Sequence, residues 1–122
     1  MRGAYITGLE GPLLTHGERV LLAATRPVGI ILFARNCLAP DQIKRLVADV
    51  RNAVGSDDLL VLIDQEGGRV RRLRPPEWRE LPAAAAYAAL YERDPAAALA
   101  SLLARRTLPR AGAVVVGEPS MM

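Results

Sequence analysis

Two carboxylates, two glycines and three arginines fall together in Asp64-Gln65-Glu66-Gly67-Gly68-Arg69-Val70-Arg71-Arg72, directly after the apolar run Leu59-Leu60-Val61-Leu62-Ile63. A five-residue apolar run bounded by polar residues has the length of a strand buried on both faces. The carboxyl ends of such strands are where α/β proteins hold their ligands, on loops that a rigid scaffold positions. Gly67-Gly68 lets the backbone pass through φ values that a Cβ forbids, so the arginines that follow can fold back over the strand end. The expected chemistry is the gripping of a polar ligand.

Asp64 and Glu66 are two residues apart. If the strand persisted through them, their side chains would share a face with Cα atoms about 6–7 Å apart, and both could hold one ligand. The alternative is structural: Asp64 caps the strand end and Glu66 pairs with Arg69 or Arg72. No metal is expected, because no histidine or further carboxylate cluster lies nearby in sequence. His16, the single histidine, falls at the start of an expected surface helix, which makes it a poor general base. Arg35-Asn36 follows the second expected strand and either faces the same crevice as Asp64 or serves a turn. Trp78 either stacks on a ligand ring or anchors its Pro-rich loop.

The elements that must position these residues are read from periodicity and punctuation. Residues 4–9 form a short apolar strand that ends in Glu10-Gly11-Pro12. Thr15 with Glu18 three residues later makes a capping box for a helix through Leu22, and Arg26-Pro27 stops it. Residues 28–33 are a continuous apolar strand. Residues 40–54 carry Ile43, Leu46, Val47 and Val50 on one side and Asp41, Lys44, Arg45, Asp49 and Arg51 on the other, an amphipathic helix closed by Gly55. Residues 59–63 form the third strand. Strand and helix alternating at this spacing predict βαβ crossovers and a parallel sheet. Beyond the Pro75-Pro76 pair, helices are expected over residues 83–91 and 95–105, the second with Asp94 as N-cap and Pro95 in its first turn. A further short strand over 111–116 and a frayed tail over 117–122 complete the reading.

With 122 residues, 51% of them apolar, the chain has the size and composition of one domain. Its net charge of +3 comes from arginines dispersed among acidic residues, so a nucleic-acid partner is not expected. One cysteine, Cys37, excludes a disulfide framework and reads as a small half-buried hydrophobe. Residues 1–8 lack the apolar segment of a secretory signal, and no apolar run approaches membrane-spanning length, so the expected compartment is the cytoplasm, with no membrane partner.

Gly8-Leu9-Glu10-Gly11, Thr15 with Glu18, Val28-Gly29-Ile30-Ile31-Leu32-Phe33-Ala34-Arg35-Asn36, the Asp64–Arg72 string and Leu81-Pro82 occur in this order and spacing. In this the chain resembles family 3 glycoside hydrolases, above all the bacterial cytoplasmic β-N-acetylhexosaminidases that trim cell-wall fragments. The match covers residues 3–98, with a divergent tail over 99–122. The resemblance implies an α/β fold: the N-terminal fragment of a (β/α)8 TIM-type barrel, with three to four parallel strands and intervening helices. It also implies retaining hydrolysis of terminal β-linked N-acetylhexosamine in peptidoglycan recycling, with a sugar or muropeptide as substrate and no cofactor. In such enzymes the residues matching Asp64 and Arg72 contact the sugar. That agrees with their chemistry, since a carboxylate accepts from vicinal hydroxyls and a guanidinium donates to sugar oxygens.

A complete barrel of this type needs about 250 residues, and the family's aspartate nucleophile and loop histidine have no match in this sequence. No catalytic residue is therefore assigned, and the expectation is a truncated gene product that is inactive alone. The competing expectation is a non-enzymatic sugar-binding or assembly fragment that self-associates through exposed sheet edges. A flavodoxin-like nucleotide binder fits less well, because Gly67-Gly68 leads into arginines and prolines instead of a helix N-terminus.

Overall fold

The computed structural model describes residues 3–105 and 114–115. The chain alternates strand and helix: β1 (Gly3–Thr7), α1 (His16–Thr25), β2 (Pro27–Leu32), a 3-10 turn (Ala34–Asn36), α2 (Pro40–Val54), β3 (Leu60–Ile63), α3 (Ala84–Arg93), α4 (Pro95–Arg105) and β4 (Val114–Val115). The strands form one sheet in the order β1-β2-β3-β4. All three pairings are parallel. The tail expected over residues 117–122 lies outside the described residues.

Helices α1, α2 and α4 begin where a side chain or proline dictates, whereas α3 starts after Ala83 without a side-chain cap. Thr15 accepts from the Glu18 amide at 3.1 Å while Glu18 Oε1 accepts from the Thr15 amide at 3.0 Å, the expected capping box. The other Glu18 oxygen accepts from the Glu10 amide at 2.9 Å, so the same carboxylate also tethers the loop after β1. α1 runs on to Thr25, three residues past the expected end at Leu22. Arg26 adopts a left-handed conformation (φ 46°) and donates its amide to the Leu22 carbonyl, closing the last turn. Asp94 caps α4 as expected, its Oδ1 accepting from the Ala97 amide at 3.0 Å.

The core lies between one sheet face and helices α1 and α2. Ile30, Leu32, Val61 and Ile63 from the sheet meet Leu22 of α1 and Ile43, Leu46, Val47, Val50 and Val54 of α2. Fully burying each of these side chains is worth roughly 1.5–3 kcal/mol, which outweighs the weak intrinsic preference of any one helix. The other sheet face is more open. Ile6, Gly29 and Leu60 stand in register across three strands, and Ile6 and Leu60 remain 46% and 43% exposed.

Gln42, in the first turn of α2, joins three segments. It donates to the Pro12 carbonyl at 2.6 Å and the Asn36 carbonyl at 2.8 Å, and accepts from the Leu38 and Ala39 amides at 2.8 and 3.2 Å. The start of α2 is thereby fixed to the loops leaving β1 and β2, at the carboxyl edge of the sheet.

Candidate functional site

The carboxyl edge gathers residues from all three of the first strands. Asn36, fully buried, organises the first two exits. Its amide donates to the Leu9 and Gly11 carbonyls at 3.2 and 2.7 Å, and its oxygen accepts from the Phe33 amide at 2.9 Å. Arg35 joins it, donating from Nε to the Leu9 carbonyl at 2.8 Å. The Arg35 guanidinium then lies 4.8 Å from the Phe33 ring centroid, within cation–π range. The loop after β1 passes close beneath this pair: a Cβ on Gly8 would stand 3.3 Å from Arg35 Nη2 and 3.5 Å from the Phe33 ring.

The third exit is the Asp64–Arg72 loop. β3 ends at Ile63, so Asp64 and Glu66 lie beyond the strand, yet the alternation of burial continues: Val61, Ile63 and Gln65 are buried, while Leu62, Asp64 and Glu66 are half-buried. Gly67 and Gly68 have φ of 95° and 60°, the left-handed turn expected of them. The Glu66 and Gly67 amides both donate to the Val70 carbonyl, at 2.9 and 3.0 Å, and close a tight hairpin. The Gly68 amide donates to the Leu81 carbonyl at 2.9 Å, which seats Leu81-Pro82 against the glycines. Arg71 is tied off structurally, with Nη1 on the Gly68 carbonyl and 2.9 Å from Glu80.

Arg72 turns back over the strand end. Its Nη2 comes 3.8 Å from Asp64 Oδ2, with side chains 25% and 33% exposed. Its guanidinium also lies 5.9 Å from the Phe33 ring that Arg35 covers. Asp64, Arg72, Phe33 and Arg35 therefore form one cluster. A separation of 3.8 Å is an ion pair but exceeds hydrogen-bond length, so both groups keep directed capacity for a third partner.

Cys37 sits beneath this cluster in the core. Burial pushes its thiol up to about 11, and the nearby Arg72 guanidinium pulls more weakly the other way. It is a packed, protonated side chain. Trp78 packs against the core and so anchors its loop. His16 is exposed at the first position of α1. Among the described residues, no three His, Cys, Asp or Glu side chains stand close enough to hold a metal ion.

Sequence reasoning singled out Asp64, Arg72, Arg35 and Asn36, which the structure brings to one edge. It quoted Phe33 and Gln65 within longer strings but assigned a role to neither. The period-two burial pattern held the signal for Gln65, because that residue continues the inward series of Val61 and Ile63.

A β-hexosaminidase of Alkalilimnicola ehrlichii is 47% identical over 98 residues, covering 80% of this chain and 28% of that protein. Solved structures agree. NagZ of Neisseria gonorrhoeae, determined in complex with N-trifluoroacetyl-D-glucosamine, superposes with a TM-score of 0.72 at 30% identity over 85% of this chain and 29% of its own. A glycoside hydrolase family 3 β-N-acetylglucosaminidase of a Paenibacillus species matches with a TM-score of 0.60 at 32% identity, over 67% of this chain and 16% of its own. The chain corresponds to the amino-terminal part of a family 3 glycoside hydrolase. A second β-hexosaminidase, of Thioalkalivibrio sulfidiphilus, is 43% identical over 92 residues. This family 3 chain spans 28% and 26% of the length of the two curated relatives. No family model matches it. The expected fold is the one found: the parallel β1–β4 sheet with its helices is the N-terminal fragment of a barrel domain of this kind.

Proposed function

We propose that the Asp64–Arg72 edge binds the terminal sugar of a β-linked N-acetylhexosamine, as part of a cytoplasmic β-N-acetylhexosaminidase of peptidoglycan recycling. The observation that carries this reading is the 3.8 Å spacing between two partly exposed, opposite charges. Asp64 can accept from vicinal hydroxyls while Arg72 donates to a ring or hydroxyl oxygen, and neither must first give up a strong bond to the other. In this role both residues orient the sugar, and bond cleavage belongs to other groups. The 122 residues contain one histidine, His16, which lies on α1 and not on a loop at this edge; alone they are expected to release no p-nitrophenol from its β-N-acetylglucosaminide. The similarity to β-hexosaminidases and to a structure holding an N-acylglucosamine analogue supports the sugar class.

The test is a titration of the labelled chain with N-acetylglucosamine, followed by NMR. Shifts should centre on Asp64, Arg72 and their neighbours, and Asp64→Asn and Arg72→Gln should each weaken binding by about tenfold or more. An unperturbed spectrum at millimolar sugar would remove the reading.

A second reading, an assembly fragment, is favoured by the exposure of Ile6 and Leu60 in one row across the sheet. Sedimentation should then show concentration-dependent association that Leu60→Lys abolishes. A monomer at all concentrations would exclude it.

A further inference from the structure

Gln65 is 3% exposed, and its side chain makes three hydrogen bonds across the hairpin. Oε1 accepts from the Arg72 amide at 2.9 Å and the Leu73 amide at 3.0 Å, and Nε2 donates to the Leu73 carbonyl at 3.0 Å. The partners themselves fix which end is oxygen, since two N–H groups require an acceptor and the carbonyl requires a donor. The chain leaves the sheet at Asp64, turns through Gly67-Gly68 and comes back at Arg72. The carboxamide is the crosspiece that joins the outgoing strand to the returning one.

From this geometry we infer that Gln65 is the positioning residue of the site: its carboxamide sets where Arg72 returns and so holds the guanidinium against Asp64 and Phe33. The sugar-binding part of this assignment rests on the reading under Proposed function; the positioning part does not. Leu73, held at both its amide and its carbonyl, packs its side chain on the core, so the return strand is pinned immediately after Arg72. From there the guanidinium reaches Asp64, the residue directly before Gln65, and the Phe33 ring. No other side-chain type does the same. Asparagine is one methylene short, glutamate lacks the donor for the Leu73 carbonyl, and leucine leaves two half-buried amides and a carbonyl without this partner.

The experiment uses the full 15N-labelled chain and the variants Gln65→Leu and Gln65→Glu. In Gln65→Leu, hydrogen-exchange protection at the Arg72 and Leu73 amides should fall by about tenfold or more, and the Arg72 Nε–H signal should take on the relaxation of a mobile side chain. Amides of β2 and α2 should keep their protection. Gln65→Glu retains the double acceptor but sets a second acceptor oxygen against the Leu73 carbonyl, so it should recover only part of the protection at those two amides, and more than Gln65→Leu does. Unchanged Arg72 and Leu73 amides in Gln65→Leu would overturn the assignment. A loss spread equally over β2 and α2 in both variants would overturn it too, by making Gln65 a general fold determinant. N-acetylglucosamine affinity is read in parallel and should weaken about tenfold in Gln65→Leu. Absence of binding by the unsubstituted chain would defeat the sugar reading while the amide data still decide the positioning role. Equal affinity in Gln65→Leu would defeat the role for Gln65 and leave the sugar reading standing.

Discussion

Gly67 lies so close to Pro82 that a Cβ on the glycine would overlap the proline carbonyl oxygen, with the Leu81 carbonyl oxygen 2.9 Å from the same point. Both obstacles are backbone, so neither can rotate away. Gly67 also has a φ of 95°, unfavourable for any residue with a Cβ. Gly67→Ala should therefore cost about 3 kcal/mol, or release residues 81–82 from the hairpin. Urea unfolding measures the first outcome. Loss of exchange protection at the Gly68 amide, which now donates to Leu81, measures the second. A stability within experimental error of the parent, with Gly68 still protected, would contradict the close approach.

Asn36 satisfies three backbone groups from a fully buried position. Asn36→Leu preserves much of the volume but leaves the Phe33 amide and the Gly11 carbonyl without this partner; Leu9 keeps its bond from Arg35. The expected loss is about 3 kcal/mol by chemical denaturation. Because the bonds tie the loop after β1 to the exit of β2, the same variant should broaden resonances of residues 8–11 first.

The thiol of Cys37 gives a pH dependence with a definite sign. Its folded value of about 11 lies above the ordinary thiol value of 9.0, so between these limits the native state holds a proton that the unfolded chain releases. The stabilisation is complete below pH 9 and is lost as pH rises toward 11, by on the order of 2 kcal/mol. Cys37→Ala should be less stable at neutral pH but should lack this component of the alkaline decline. Alkylation of native protein by iodoacetamide at pH 8 should be slow and should require unfolding.

Removal of the α1 cap separates two functions of one carboxylate. Thr15→Ala should cost about 1 kcal/mol and leave the Glu10 tether intact. Glu18→Ala should cost at least as much and also free the Glu10 amide, detectable as faster exchange at that position. Equal exchange at Glu10 in both variants would show that the tether is not made by Glu18.

Periodicity made the scaffold legible. The alternation of apolar runs with an amphipathic 40–54 segment is dictated by burial, and the strands, α2 and its Gly55 stop follow from it. The stop of α1 at Arg26-Pro27 was legible, but not that the helix continues past Leu22 to Thr25 or that Arg26 closes it in a left-handed conformation its residue type does not favour. The site was legible in part: carboxylate, glycine pair and arginines announce a polar loop at a strand end. Which arginine returns to Asp64 was not legible in the residue types alone; the family resemblance pointed to Arg72. Arg71 and Arg72 are adjacent and chemically identical, and the choice between them depends on the three bonds of Gln65 and on Glu80, contacts that arise only after the hairpin closes. Phe33 was hidden for the same reason, since a ring at a strand end acquires its neighbours from two other strands.

The four bonds of Gln42 bear on the chemical ageing of the protein. Deamidation there would replace a donor facing the Pro12 and Asn36 carbonyls with an oxygen carrying negative charge, turning two attractions into two repulsions within a single side chain. The damage would arise at the start of α2 and be felt on the loop leaving β1. A change at one glutamine would thus reach the carboxyl edge through the loop that Pro12 belongs to.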